Sequence, residues 1–398
     1  MKLLFLTPFL PYAEAPHAVA STVYQWLRRL AERHEVDLLS FVDSAEEAAH
    51  RDDLERVCRE VVLIRRRVSR PALFYRMLRY PTRPKMYWSF RDPRMERAVR
   101  ERTGREGYGL VQAEYSQMAQ YGPAIFPRTP RLLVKHDVRT VLAWRAWQQA
   151  RGRGRLSAWW EWLKIPSYEL MICQAFDGIA VLSEHNQRVL HGFLPELPVE
   201  VIPPGMEIVP ADPKRYERPG RVVAFFGAMN RRVNVGAAFY LHRQIMPLVR
   251  QAVPGAELHV VGGAPGPEVQ ALAQDRWVTV TGYVPDTAAY FAGCDLAVAP
   301  MQVGGGILTK VLETMAAGLP VVATPVANEG IAAQADREML LGDDAAALAR
   351  QVVRFLQDPV LRRRIALAGQ ELVRRRFGWG TMIERWESFY TEICNRHS

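Results

Sequence analysis

Cysteine is scarce in this chain: four in 398 residues, Cys58, Cys173, Cys294 and Cys394, far apart and without a CxxC pair. That spacing excludes a zinc ribbon and gives no disulfide framework, so the four read as ordinary reduced thiols. Long apolar runs are missing too. No stretch of 18 apolar residues occurs, so no segment reads as a membrane-spanning helix. The phosphate-binding signature G-x-x-x-x-G-K-S/T is absent, which excludes a Walker-type loop, and no G-x-G-x-x-G dinucleotide fingerprint is present. Internal repeats and low-complexity segments are lacking as well. At the start, "MKLLFLTPFLPYAEAPHAVA" mimics a secretory leader, but Pro8 and Pro11 break its apolar run. An amphipathic helix follows, with Val19, Val23, Trp26, Leu27 and Leu30 on one face, so the start reads as a buried strand and its helix.

What is present is a soluble-type composition, 49% hydrophobic and 24% charged, with a net charge of +10 that is unevenly spread. Residues 65–105 hold 14 basic and 3 acidic residues interleaved with Leu, Phe, Tyr and Trp. Such a window suits a membrane surface or a lipid phosphate, and the plain alternative is a solvated arginine-rich helical pair. No nucleic-acid motif accompanies it, so nucleic acid is not expected as a partner.

Short β-branched runs alternate with helical patterns along the chain. Expected strands are Lys2–Thr7, Glu35–Phe41, Val61–Ile64, Gly109–Glu114, Arg131–Lys135, Gly178–Leu182 and Val199–Ile202, then Arg221–Phe226, Glu257–Val261, Val278–Thr281, Asp295–Ala299 and Pro320–Ala323. Near-continuous apolar strands separated by helices imply parallel sheets covered on both faces. The Pro- and Gly-rich "VIPPGMEIVPADPKRYERPGR" divides the two sets. The expected fold is therefore α/β, two doubly wound Rossmann-like domains. We set them at 1–205 and 206–378, with a final helix over 379–398 crossing back to the first. Open α/β sheets bind ligands at the carboxyl ends of their strands, and two such domains place the active site in the cleft they face.

In the second half several strands end in glycine: "VVAFFGAMN", "LHVVGGAPG", "VTVTGYVPD" and "LAVAPMQVGGG". We take their recurrence as backbone brought close to a ligand. In "VGGGILTKVLETMAAGLPVV" three glycines run into a helix whose first turn carries Lys310. A lysine there opposes the helix dipole, which calls for something anionic. Gly304, Gly305 and Gly306 permit close approach, and the amides of Leu308, Thr309 and Lys310 are free to bind a diphosphate. Lys310, or Arg231 and Arg232 of "MNRRVN", would neutralise the remaining charge. Glu313, one turn on, suits a ribose diol. The plain alternative is an exposed Lys310–Glu313 ion pair.

This series resembles glycosyltransferase family 4, the group 1 glycosyltransferases of GT-B fold, most strongly over residues 221–331. "FFGAMNRRVNVGAAFYL", "LHVVGG", "VTVTGYVPD", "DLAVAP" and "GGGILTKVLETMAAGLPVVATPVANEGI" follow that family in order and spacing. The first half is similar more loosely, through "VKHDVRT", "AVLSEHNQ" and "VIPPG". The resemblance implies a retaining, metal-independent hexosyltransferase with no cofactor beyond its nucleotide-sugar donor, UDP- or GDP-linked. By the same resemblance Glu313 matches the second glutamate of a Glu-x7-Glu motif and binds the ribose. Leu308 to Lys310, with Gly227, Gly305 and Gly306, border the diphosphate. Gly282, Tyr283 and Val284 lie beside the base, and Asn234 opens the first helix of this domain. His136 faces the transferred sugar, the alternative being a core histidine. Asp137 positions the acceptor or His136, or caps the following helix.

Two departures stand out. The first glutamate of the motif falls on Gly305, a feature of a subgroup with "G-x-G…K-V-L-E". The first loop lacks the family's double glycine, for which Ala18 to Ser21 are a substitute. The expected acceptor is a glycan or a lipid-linked glycan of the cell envelope or an exopolysaccharide. The expected location is cytoplasmic, at the inner face of a membrane reached through residues 65–105. Competing readings are a sugar-nucleotide 2-epimerase of the same fold and a non-catalytic nucleotide-sugar-binding subunit.

Overall fold

The computed structural model describes residues 1–398 except 14–17, 67–77, 151, 211–212, 218, 303–306 and 398. Its chain divides into two compact units, Met1–Ile202 with Ile383–Ser398, and Pro203–Met382.

The first unit holds a seven-stranded sheet. Its strands are β1 (Lys2–Thr7), β2 (Glu35–Val42), β3 (Glu60–Arg65), β4 (Leu110–Glu114), β5 (Arg131–Lys135), β6 (Gly178–Val181) and β7 (Val199–Val201). They run in the order β3-β2-β1-β4-β5-β6-β7, and every pairing is parallel. β1, the stretch that mimics a leader, is a central strand of this sheet, with Leu3 to Leu6 fully buried. The Ala18–Ala31 helix turns Trp26, Leu27 and Leu30 into the core, as their spacing requires.

The second unit repeats the design with six strands: β8 (Val222–Phe226), β9 (Glu257–Val261), β10 (Val278–Gly282), β11 (Leu296–Ala299), β12 (Val321–Ala323) and β13 (Leu340–Leu341). The order is β10-β9-β8-β11-β12-β13, again parallel throughout. In both sheets the strand order reverses beside the first strand of the unit, at β1/β4 and at β8/β11. Those reversals are where a doubly wound sheet opens a crevice for ligand.

All twelve expected strands are present within a residue or two at either end. β13 has no counterpart in the sequence reading, because two residues are too short to show a period. The last helix runs Trp379–His397, and its Trp386, Phe389, Tyr390 and Ile393 are buried in the first unit. Gly178 makes room for it: a Cβ there would meet Ile393 at 2.8 Å.

Candidate functional site

At the β8/β11 reversal the loop after β8 leads into the Arg232–Tyr240 helix, and the Thr309–Ala316 helix follows β11. Lys310, on the second residue of that helix, turns back onto the sheet. Its Nζ donates to Asn234 Oδ1 at 3.0 Å, contacts Met301 Sδ at 3.5 Å and lies 4.5 Å from the centre of the Phe225 ring. Asn234 is itself pinned, its Nδ2 donating to the Ala228 carbonyl at 2.9 Å. Gly227 is small for this reason, since a Cβ there would lie 2.8 Å from Asn234 Nδ2.

No carboxylate pairs with Lys310 among the described residues. Burial, reinforced by the nearby Arg231 charge, lowers its pKa to about 8. The expected alternative of a Lys310–Glu313 ion pair is not what forms. Glu313 also has no hydrogen-bond or ionic partner among the described residues. Its side chain reaches solvent, yet the protein around it raises its pKa by desolvation. A cation and an anion one turn apart, each left without a counter-charge, suit a ligand that carries phosphate and hydroxyl groups together. Of the two arginines, Arg231 is the one whose field reaches Lys310; Arg232 is exposed beside it.

The glycine-ended loops also answer to requirements within the protein itself. At Gly262 φ is +148°, and a Cβ would lie 1.9 Å from the Gly227 carbonyl oxygen. Gly227 N donates to Val261 O at 2.9 Å, Gly262 N to Gly282 O at 3.1 Å and Met229 N to Gly263 O at 2.9 Å. Gly262 is glycine because it packs on the Gly227 carbonyl, and Gly282, with open space where a Cβ would stand, because its φ is +71°. Tyr283, 78% exposed, stands at the rim with half-buried Val284 next to it. Gly304, Gly305 and Gly306 lie outside the described residues.

In the first unit His136 follows β5. Its Nε2 faces Glu114 Oε2 at 2.9 Å, and its ring stacks on Tyr115 at 4.1 Å and Trp26 at 5.7 Å between centroids. Glu114 is fully buried, takes Gln112 Nε2 at 2.6 Å on its other oxygen, and Gln112 in turn accepts from Tyr390 Oη at 2.6 Å. A carboxylate accepts, so Nε2 carries a proton, and in the neutral imidazole Nδ1 is then the acceptor. That Nδ1 is buried with no partner among the described residues. His136 is thus neither a satisfied core histidine nor a freely rotating one. Tyr115, its stacking neighbour, holds φ at +66°, the left-handed region that a tyrosine rarely adopts.

Asp137 does not cap the following helix. Glu169 does, accepting from Arg139 N at 3.0 Å, Thr140 N at 2.9 Å and Thr140 Oγ1 at 2.7 Å, while also pairing with fully buried Lys135. Asp137 pairs with Arg139 at 2.8 Å instead. Ser21 lies on the Ala18–Ala31 helix, half-buried, and Ala18 is described in its backbone alone. Sequence reading missed Glu114, Gln112, Tyr115 and Phe225. The one signal for Glu114 was an acidic residue closing a buried strand, two residues after Gln112.

Comparison with known proteins agrees with this architecture. The chain is 28% identical over 329 residues to the GDP-mannose-dependent alpha-(1-6)-phosphatidylinositol monomannoside mannosyltransferase of Mycobacterium tuberculosis, covering 71% of this chain and 83% of that protein. It is 29% identical over 189 residues to a phosphatidyl-myo-inositol mannosyltransferase of Mycobacterium leprae, covering 46% of this chain and 50% of that one. Among solved structures, a sucrose-phosphate synthase from Thermosynechococcus elongatus superposes with a TM-score of 0.65 at 20% identity, covering 99% of both chains. Anabaena HepE in complex with UDP superposes with a TM-score of 0.66 at 16% identity, covering 98% of this chain and 100% of that one. These likenesses establish the GT-B fold. Residues 220–358, which carry Lys310, Glu313 and Asn234, match the family model for group 1 glycosyl transferases, and the chain is a glycosyltransferase by that domain and its relatives.

Proposed function

We propose that the protein is a retaining, metal-independent glycosyltransferase that moves a hexose from a nucleotide diphosphate sugar to a hydroxyl of a glycan or lipid-linked glycan acceptor. The observation that carries this reading is the unpaired Lys310 and Glu313 on successive turns after β11, with Asn234 holding the ammonium in place.

In this reading the donor ribose is held by Glu313 and its diphosphate by the amides of Leu308, Thr309 and Lys310. Negative charge grows on the leaving diphosphate as the glycosidic bond breaks. Lys310, Arg231 and the positive end of the Thr309–Ala316 helix stabilise it there, an electrostatic contribution that costs no reorganisation during the reaction. The acceptor hydroxyl attacks on the face the leaving group vacates. His136 offers Nδ1 to a hydroxyl of the transferred sugar. GDP is the donor base suggested by the M. tuberculosis relative, and UDP the one suggested by HepE. The lipid acceptors named for the mycobacterial relatives, with the basic window at 65–105, support a membrane-borne acceptor.

Thermal stabilisation by UDP, GDP, ADP and dTDP is the direct test. One nucleotide is expected to raise the melting temperature, with the shift lost in Glu313→Ala and Lys310→Ala. No shift with any of the four removes the donor site. Retention is then read by NMR from the anomeric configuration of the product.

A further inference from the structure

The Arg153–Cys173 helix buries Ile165, Tyr168, Glu169, Ile172 and Cys173 in the first unit. Its opposite side carries Leu156, Trp160, Leu163 and Met171, spaced to fall on one stripe, at 73%, 54%, 41% and 55% exposure. Trp159 stands beside them. Large apolar side chains facing water along one stripe, interrupted by Ser167, mark an interaction surface.

Beside the stripe is an open recess of about 630 Å³, walled by Arg79, Tyr80 and Arg83 on one side and by Leu163, Lys164 and Met171 on the other. That volume lies within the range of roughly 300–1,000 Å³ usual for small-ligand pockets. Both guanidiniums lie over the Tyr80 ring, at 5.1 and 4.5 Å from its centre, and Arg83 Nη1 is buried with no hydrogen-bond partner among the described residues. Lys164 is matched by Glu161. Elsewhere in the basic window five cations are matched, Arg66 by Asp43, Arg91 and Arg100 by Glu96, Arg94 by Asp92 and Arg102 by Glu60. Arg65, Lys85, Arg97 and Arg105 stand exposed with no ion pair among the described residues and do not line this recess. Arg79 and Arg83 meet no carboxylate among the described residues. Residues 67–77 hold three arginines and no Asp or Glu, so they cannot supply one.

Unmatched guanidiniums in a recess that shares its wall with an apolar stripe fit a surface of phosphates lying over hydrocarbon. The stripe is aliphatic at Leu156, Leu163 and Met171, which suits acyl chains better than the stacked bases of a nucleic acid. We propose that this face docks on an anionic phospholipid bilayer, with the Leu156–Met171 stripe entering the interface and a lipid phosphate seated between Arg79 and Arg83. This deepens the membrane-borne acceptor reading by naming the surface that reaches the lipid, and it does not depend on the sugar-transfer chemistry.

The test is co-sedimentation of the full chain with phosphatidylcholine vesicles, with and without phosphatidylglycerol. Binding is expected with phosphatidylglycerol and to be weak without it. At about fivefold per cation, Arg79→Gln with Arg83→Gln lowers the partition coefficient by at least tenfold. Leu156→Ser with Trp160→Ser and Leu163→Ser lowers it comparably. Arg363→Ala with Arg364→Ala removes as much charge from exposed positions of the second unit and is expected to leave binding within about twofold. The proposal is overturned by a parent chain that ignores phosphatidylglycerol, by a control that loses as much as the Arg79/Arg83 variant, or by a serine variant that binds like the parent. Every variant is also melted with the stabilising nucleotide. A retained shift shows that the fold and donor site are intact, so a failed vesicle result leaves the transferase reading untouched. A lost nucleotide shift in the parent leaves the vesicle result standing.

Discussion

Lys310 carries a consequence for pH. A lysine whose folded pKa, about 8, lies below its ordinary 10.5 is a costlier cation in the fold than in the unfolded chain. Its charge therefore weakens the free protein below about pH 8, and that cost lifts as pH rises towards 10.5. Chemical unfolding across this window should show a gain on the order of 2–3 kcal/mol that Lys310→Met flattens. Phosphate favours the cation, so nucleotide affinity should move the opposite way, falling roughly five- to tenfold per pH unit above that pKa. Lys310→Arg stays charged and should bind without the slope, which calorimetry above and below pH 8 reads directly. Glu169 gives a structural counterpart. Glu169→Ala strands the fully buried Lys135 and uncaps a helix, an expected loss of about 3–5 kcal/mol in denaturant unfolding. Lys310 and Glu313 were legible in the sequence because their oddity is local: a wrong-sign charge, then a carboxylate one turn on. Asn234 was legible as a helix opener but not as the group that holds Lys310, since the two are 76 residues apart. Glu114 and Glu169 show the same limit, as a buried carboxylate is identified by partners that only the fold brings near.

Among the elements, the strands were the most readable. A strand buried on both faces of a parallel sheet is a short apolar run with little else it can be. The packing of Gly262 on the Gly227 carbonyl was not readable, because a glycine required by a neighbouring loop looks the same in sequence as one required by a ligand. Substitution separates the two. Gly262→Ala drives a Cβ into the Gly227 carbonyl at positive φ and should cost about 2–4 kcal/mol in urea unfolding, whether or not nucleotide is present. Gly104, inside the Pro93–Arg105 helix, has open space around it, so Gly104→Ala should stabilise by about 0.4–1 kcal/mol in the same measurement. The 65–105 window was readable as basic, but the pairing of Arg66 with Asp43 and of Arg102 with Glu60 was not, because both carboxylates come from outside it.

At the scale of the molecule, the two units differ in how they are closed. The second is one continuous stretch, Pro203–Met382, whereas the first is assembled from both ends of the chain. Trp386 on the last helix is fully buried against Trp26, with ring centres 5.3 Å apart, and Tyr390 reaches Gln112 behind Glu114. Trp386→Ala should therefore cost the first unit about 3–5 kcal/mol. Differential scanning calorimetry should show the first unit's transition lowered while the nucleotide-responsive one stays in place. The Pro- and Gly-rich stretch marked a division between two sets of strands, and the spacing of Ile383, Trp386 and Phe389 a final helix, but which unit that helix completes is fixed by contacts no spacing records. A ribosome, however, delivers this chain from one end. The segment made first stays unfinished until the segment made last has emerged, and in the interval its sheet lacks the Trp386 and Tyr390 side of its core. The second unit meets no such delay, so a chain halted before residue 383 carries every residue of the second unit and a first unit still missing one side of its core.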